Sequence, residues 1–148
     1  MTQKDLTWLR TLYDRYGVGE VQAVFDHLSP DVEWVSNRES PVFASFSGTF
    51  HGVDGVRRYF DGLTQDWSID RHDLLDMTVE GDDVRVRNLV GATYRKTGRR
   101  VETVTHHRLR VRDGRIERFE EQLDDAVVAM ACEAGCDAGT GAAGKPVA

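Results

Sequence analysis

The sequence predicts an α+β fold, with helices first and a strongly curved, mostly antiparallel sheet after them. Two observations carry this. Helical spacing of apolar residues is confined to the first 63 positions, and strand-like alternation broken by hairpin turns fills residues 67 to 123. A length of 148 residues suits one domain with a core of useful size.

Leu6, Leu9, Leu12, Tyr13 and Tyr16 recur at helical spacing, so residues 4–16 read as an amphipathic helix punctuated by Gly17 and Gly19. A second helix carries Val21, Val24, Phe25 and Leu28 and is expected to stop before Pro30. Val32 to Val35 forms a short strand. Residues 36–47 are irregular and serine-rich yet hold Phe43 and Phe46, as in a loop that folds back over something apolar. Gly48 to Gly52 reads as a tight turn. A third helix runs from Val53 to Leu63, with Val56, Tyr59, Phe60 and Leu63 on one face.

Leu75, Met77 and Val79 alternate before a turn at Gly81-Asp82-Asp83. Val84 to Tyr94 is a long strand, turned at Lys96 to Arg99. The next strand has Val101, Thr103, Thr105, His107, Leu109 and Val111 on one face, with His106, Arg108, Arg110 and Arg112 on the other. Arg112 to Arg115 makes a hairpin, and a last strand runs from Ile116 to about Leu123. A long antiparallel sheet covered on one face by helices curls and encloses a cavity. Residues 1–131 thus form the domain, and the Gly/Ala-rich stretch 132–148 has too little to bury to be ordered.

The totals exclude several classes. A net charge of −6 gives no basic stripe for nucleic acid. Cys132 and Cys136, spaced C-x3-C, lack the further ligands of a zinc site and read as free thiols. No stretch of 18 apolar residues and no apolar signal core is present, so a cytoplasmic protein without a membrane span is expected. Nucleotide, flavin and metalloprotease motifs are missing, and no cofactor is expected.

Alternation also indicates which polar groups face the cavity. Thr105 and His107 share the face of Leu109 and Val111. Glu121 lies between Phe119 and Leu123, and burying such a carboxylate costs several kcal/mol unless it is paired or protonated. A His107–Glu121 pair across the hairpin is geometrically reasonable, whether as a hydrogen-bonded core pair or as a functional one. Asn88 lies mid-strand and can reach the same pocket. Tyr13, Tyr16, Trp34, Phe43, Phe46, Phe50, Trp67 and Phe119 are candidate lining groups, with ordinary packing the competing reading for each. Asp124 alone reads as a cap, while His27, His51 and His72 receive no role.

These motifs resemble the SnoaL-like, ketosteroid isomerase-like branch of the nuclear transport factor 2-like superfamily. The similarity lies in Leu12-Tyr13, Asp31 to Trp34, Gly48 to Gly52, Thr97 to Arg99, Asp113 to Ile116, and Phe119 to Asp124, together covering about residues 5–130. The resemblance implies a cone-shaped α+β barrel, with three helices in the concave face of a mixed, mostly antiparallel sheet, and a homodimer. It places His107 where the isomerase has its oxyanion-stabilising acid, and Asp124 where cyclases keep a catalytic aspartate. Ser36 stands roughly at the isomerase's base, and Asn88 and Val90 stand where limonene epoxide hydrolase, of the same superfamily, has its arginine and aspartate. Neither of those two activities is therefore expected.

Three functions follow. The first is a cofactor-independent acid–base enzyme, a cyclase, isomerase or dehydratase, acting on a small apolar carbonyl-containing metabolite such as a polyketide-like compound. In it His107, Asp124 and Glu121 are catalytic, and apolar walls raise the carboxyl pKa. The alternatives are a non-catalytic small-molecule binding module on the same fold, in which an arginine neutralises Glu121, and a sequestration protein for the same metabolite class.

Overall fold

The structure, a computed structural model, describes residues 6–36 and 47–123. The expectations placed on Phe43, Phe46, Asp124 and the tail from 132 lie outside the described residues. The element order is α1 (Thr7–Gly17), α2 (Gln22–Phe25), β1 (Leu28–Ser36), β2 (Gly48–His51), α3 (Gly52–Asp66), β3 (Trp67–Glu80), β4 (Asp83–Tyr94), β5 (Arg100–Arg112) and β6 (Arg115–Gln122). The six strands form one mixed sheet, ordered β2-β1-β6-β5-β4-β3. Only β1 and β6 run parallel among these neighbours.

The helices bury their apolar stripes on one face of this sheet. Leu6, Leu9, Leu12 and Tyr13 from the α1 region, with Val56, Tyr59 and Leu63 from α3, meet Val84, Val86, Leu109, Ile116 and Phe119 of the strands. Helix α3 packs against β1, β2 and β3, the last two being opposite edges of the sheet. It leads from one edge strand to the other, and the helices cover a single face of a sheet whose strongly curved form agrees with the expectation from the sequence. No helix among the described residues is long and apolar enough to cross a membrane.

The hairpins follow their turn chemistry. Asp113 and Gly114 both have positive φ, at 50° and 76°, the geometry that lets a two-residue loop follow the strand twist. The β3–β4 turn instead places one left-handed residue, Gly81, at its first central position.

Several boundaries differ from the sequence reading. Helix α2 is a single short turn, Leu28 opens β1, and Pro30 lies inside that strand. Proline is tolerated there because the β1–β6 register shifts between Leu28 and Glu33, where a missing N–H costs no regular ladder bond. Residues 48–51 form strand β2 paired to β1, with Trp34 opposite Phe50, rather than a tight turn. In β3, register shifts between Ile69 and Arg71 and between Leu74 and Asp76 break the simple alternation. Leu75 falls at the second shift and is 45% exposed, whereas Met77 is buried.

Candidate functional site

The sheet register brings three polar side chains into one row. Glu121 on β6 lies directly across from His107 on β5 and, on its other side, from Ser36 at the end of β1. Asn88 on β4 pairs with Thr105, one side-chain step along the same face from His107. The helices close the row from above. Tyr13 reaches down from α1, and Tyr59 from α3.

The hydrogen bonds form one connected chain. The Glu121 Oε1 atom accepts from the Tyr59 hydroxyl at 2.7 Å and from the Ser36 hydroxyl at 3.0 Å. Its Oε2 atom lies 3.3 Å from His107 Nε2. The Tyr13 hydroxyl sits 2.6 Å from His107 Nδ1, with the Asn88 amide nitrogen 3.3 Å from the same atom. A carboxylate only accepts, so it selects the neutral tautomer with its proton on Nε2. The Nδ1 lone pair then receives the Tyr13 hydroxyl proton. Thr105 Oγ1 stands 3.4 Å from Nε2 and completes the cradle.

The electrostatics correct one expectation. Burial pushes the Glu121 carboxyl up, but His107, by hydrogen bond and charge, together with the Tyr59 and Ser36 hydroxyls, outweighs it and leaves the pKa below the ordinary value. Glu121 is therefore an ionised, well-held carboxylate and not an acid kept neutral by apolar walls. Burial, aided by the Glu121 charge, holds the phenols of Tyr13 and Tyr59 well above their ordinary range, so both remain protonated donors. No arginine or lysine among the described residues pairs with Glu121.

Two small chambers adjoin this row. The first, about 40 Å³, is lined by Tyr13, Tyr16, Trp34, His72, His107, Phe119 and Glu121 with apolar neighbours. The second, about 50 Å³, is lined by Tyr16, Tyr59, Trp67, His72, Thr105, Glu121 and Leu123 among others. Glu121, His72, Tyr16 and Tyr59 border both. Trp34 lies flat on Phe119 at a centroid separation of 3.8 Å, and Phe119 meets His107 edge-on at 4.6 Å. Asn88 is fully buried behind His107. Phe50 packs against Tyr59.

His72 is the residue that sequence reasoning missed. It lies on β3, edge-on to Tyr16 at 4.6 Å, and both burial and the neighbouring His107 lower its pKa to about 4. It is thus neutral near pH 7. Tyr59 was legible as part of a buried helix face, but its bond to Glu121 spans 62 residues of sequence and leaves no local signal.

The fold is a curved sheet capped by helices over this buried polar row. The profile of the SnoaL-like domain matches residues 9–119, and the chain belongs to that family. No curated protein sequence matches it significantly. Solved structures share the fold. An NTF2-like protein of unknown function from Burkholderia pseudomallei superposes with a TM-score of 0.75 at 21% identity, covering 88% of this chain and 98% of the other. A Mesorhizobium loti protein provisionally named a SnoaL-like polyketide cyclase gives 0.66 at 18% identity, with coverages of 82% and 98%. TerC, co-crystallised with polyporic acid, gives 0.73 at 20% identity, with coverages of 87% and 98%.

Proposed function

We propose that the protein is a cofactor-independent acid–base enzyme of the isomerase, cyclase or dehydratase type, acting on a small, largely apolar carbonyl compound. The observation that carries this reading is the buried Glu121–His107–Tyr13 chain at the wall of an apolar cavity. A buried carboxylate that orients a histidine tautomer is a common way to prepare a proton acceptor. Glu121 stabilises the imidazolium. A proton leaving the carbon next to the substrate carbonyl passes to the Tyr13 oxygen while the Tyr13 proton moves to His107 Nδ1. The enolate that remains recovers a proton at a second position by the reverse transfer, so no proton or electron is left over. Asp124, next in sequence to the chamber residue Leu123, enters the proposal as the alternative proton carrier, taking the proton from one carbon and returning the same proton to the other. A cofactor is not required by this chemistry. TerC's co-crystal with polyporic acid supports a small organic ligand for the family fold. A homodimer through the outer sheet face and a cytoplasmic location belong to the same reading.

The test is deuterium incorporation at C2 of 1-tetralone, a compact enolisable ketone, in D2O. The wild type should accelerate exchange. His107→Gln and Glu121→Gln should each reduce it by about 10²-fold or more, the usual contribution of a positioned acid or base, with unchanged circular dichroism. Exchange undiminished in both variants would overturn the assignment. The non-catalytic binding module is favoured by one observation, the three donors that already occupy Glu121. Binding of the ketone with exchange at the buffer rate would decide for it.

A further inference from the structure

A large open groove lies outside the buried row. It measures about 540 Å³ and runs between the α1–α2 turn, α3 and the start of β3, with an apolar floor of Tyr16, Phe25, Phe60, Leu63, Trp67 and Ile69. Val21 on its border is 37% exposed, and Val18, in the hollow next to it, is 75% exposed. An open apolar patch of this kind marks a contact surface. Two guanidinium groups stand on the same border. Arg57 lies over the Phe25 ring at 4.9 Å, and Arg95 is held by a 3.0 Å bond from its Nε to the Thr64 carbonyl oxygen. Neither pairs with a carboxylate among the described residues, unlike Arg71, Arg87, Arg100 and Arg118 of the sheet. Asp61 is the only carboxylate among the groove's described lining residues.

Strand β6 brings the chain to this place. Leu123, the last described residue, borders the second chamber together with Leu63, Trp67 and Ile69, and those three also border the groove. The sequence continues with Asp124 and Asp125, then an unbroken apolar run from Ala126 to Cys132, then Glu133. An apolar run between acidic residues complements an apolar floor between unpaired arginines. Ten residues span up to about 35 Å when extended and about 15 Å as a helix, so the run reaches the groove from Leu123 in either form. We propose that residues 126–132 dock in this groove as an intramolecular cover, with Val127, Val128 and Met130 against its floor and Asp125 and Glu133 at the two arginines. The occupant is this chain's own segment because it starts beside the groove, and a tethered segment meets its site at a high effective concentration that a free partner lacks. The cover closes the side of the fold on which Tyr16, Leu63, Trp67 and Ile69 are shared between chamber and groove. It serves a binding pocket and an enzyme equally, so the inference stands apart from the proposed reaction.

NMR of isotope-labelled methionine methyl groups in the full chain tests this. The protein gives signals from Met1, Met77 and Met130, and Met130→Leu identifies the last. In a dilute sample the Met130 methyl should be shifted by the groove's rings and show NOEs to ring protons of Phe25, Phe60 or Trp67. Val21→Asp should abolish those NOEs and move the signal to the position of free methionine. Leu75→Asp, at a comparably exposed site further along β3, should leave it in place. Arg57→Gln combined with Arg95→Gln should move it part of the way. The signal of the buried Met77 shows in each variant that the fold persists. Should Val21→Asp not fold, the wild-type contacts decide alone. A Met130 methyl at the free position in the wild type, or one that Val21→Asp leaves unmoved in a folded protein, would overturn the inference. NOEs found only between labelled and unlabelled chains of a mixed sample would overturn it too, because the groove would then hold the segment of a second copy.

Discussion

At the scale of single residues, the site is a set of buried groups whose protonation is fixed by their neighbours. His72 makes the sharpest prediction. Its folded pKa is lowered to about 4, by burial and by His107 against the opposing pull of Glu121 and Asp73. An unfolded histidine titrates near 6.5. Between those values the unfolded chain holds more protons, so stability is full above about pH 6.5 and falls as acid is added, levelling off below about 4. From pH 7.5 to 5 the expected loss is on the order of 2 kcal/mol. Glu121 acts in a lower window, because its folded pKa is depressed and its contribution is lost as the pH falls below its ordinary value near 4.5. Urea denaturation at pH 7.5, 6 and 5 separates the two. His72→Phe should flatten the upper limb, and an unchanged slope would show that His72 is not the group responsible. The sequence showed Glu121 and His107 clearly, because both keep step with apolar neighbours two positions away. It gave the wrong direction for the Glu121 pKa by weighing burial above the His107 pair that lowers it most, and the Tyr59 and Ser36 hydroxyls that add to that pair come from 62 and 85 residues away.

At the scale of elements, the two shifts in β3 explain why His72 was missed. Counting by twos from Leu75, Met77 and Val79 places His72 on the outer face. The shift near Leu75 reverses that parity and turns His72 inward, and no local residue pattern announces it. Helices α1 and α3 and the Asp113-Gly114 hairpin were legible, because period and turn chemistry are local properties. Strand β2 was not, because Gly48 to His51, a glycine-led run of four residues stopped by Gly52, becomes a strand only by pairing with β1. The position of His72 also depends on α1. A Cβ on Gly17, the last residue of that helix, would come within 2.7 Å of the His72 carbonyl oxygen, which is backbone and cannot swing away. Gly17→Ala should therefore destabilise the protein by about 1–3 kcal/mol, the usual cost of overpacking. Gly91→Ala is the control. Its nearest neighbours are the ends of the exposed Arg100 and Asp70 side chains, which can swing aside, and their solvent-screened ion pair adds little to stability. Thermal unfolding of the two variants should rank them in that order, and equal Tm values would contradict the close approach of α1 to β3.

At the scale of the whole molecule, the sheet divides the chemistry between its faces. The inner face holds the aromatic chambers, while the outer face carries paired charges. Arg108 and Arg110 meet Asp83, Arg87 meets Asp76, Arg100 meets Asp70 and Glu102, and Arg118 meets Glu33 and Glu120. Exposed pairs of this kind add little to the stability of one chain. Their value for assembly is different, because carboxylates and guanidinium groups alternate across neighbouring strands and a two-fold partner can present each sign to its opposite. A homodimer formed on this face is held largely by exposed charge, and salt must weaken it. Raising the salt from 0.1 to 1 M shortens the screening length from about 10 to about 3 Å. Sedimentation velocity at a fixed protein concentration should then show a dimer at the lower salt and a shift toward monomer at the higher. A dimer unchanged by salt would place the contact on another surface. A monomer at both salt concentrations would remove the dimer from the description and leave the charged face as a solvated surface.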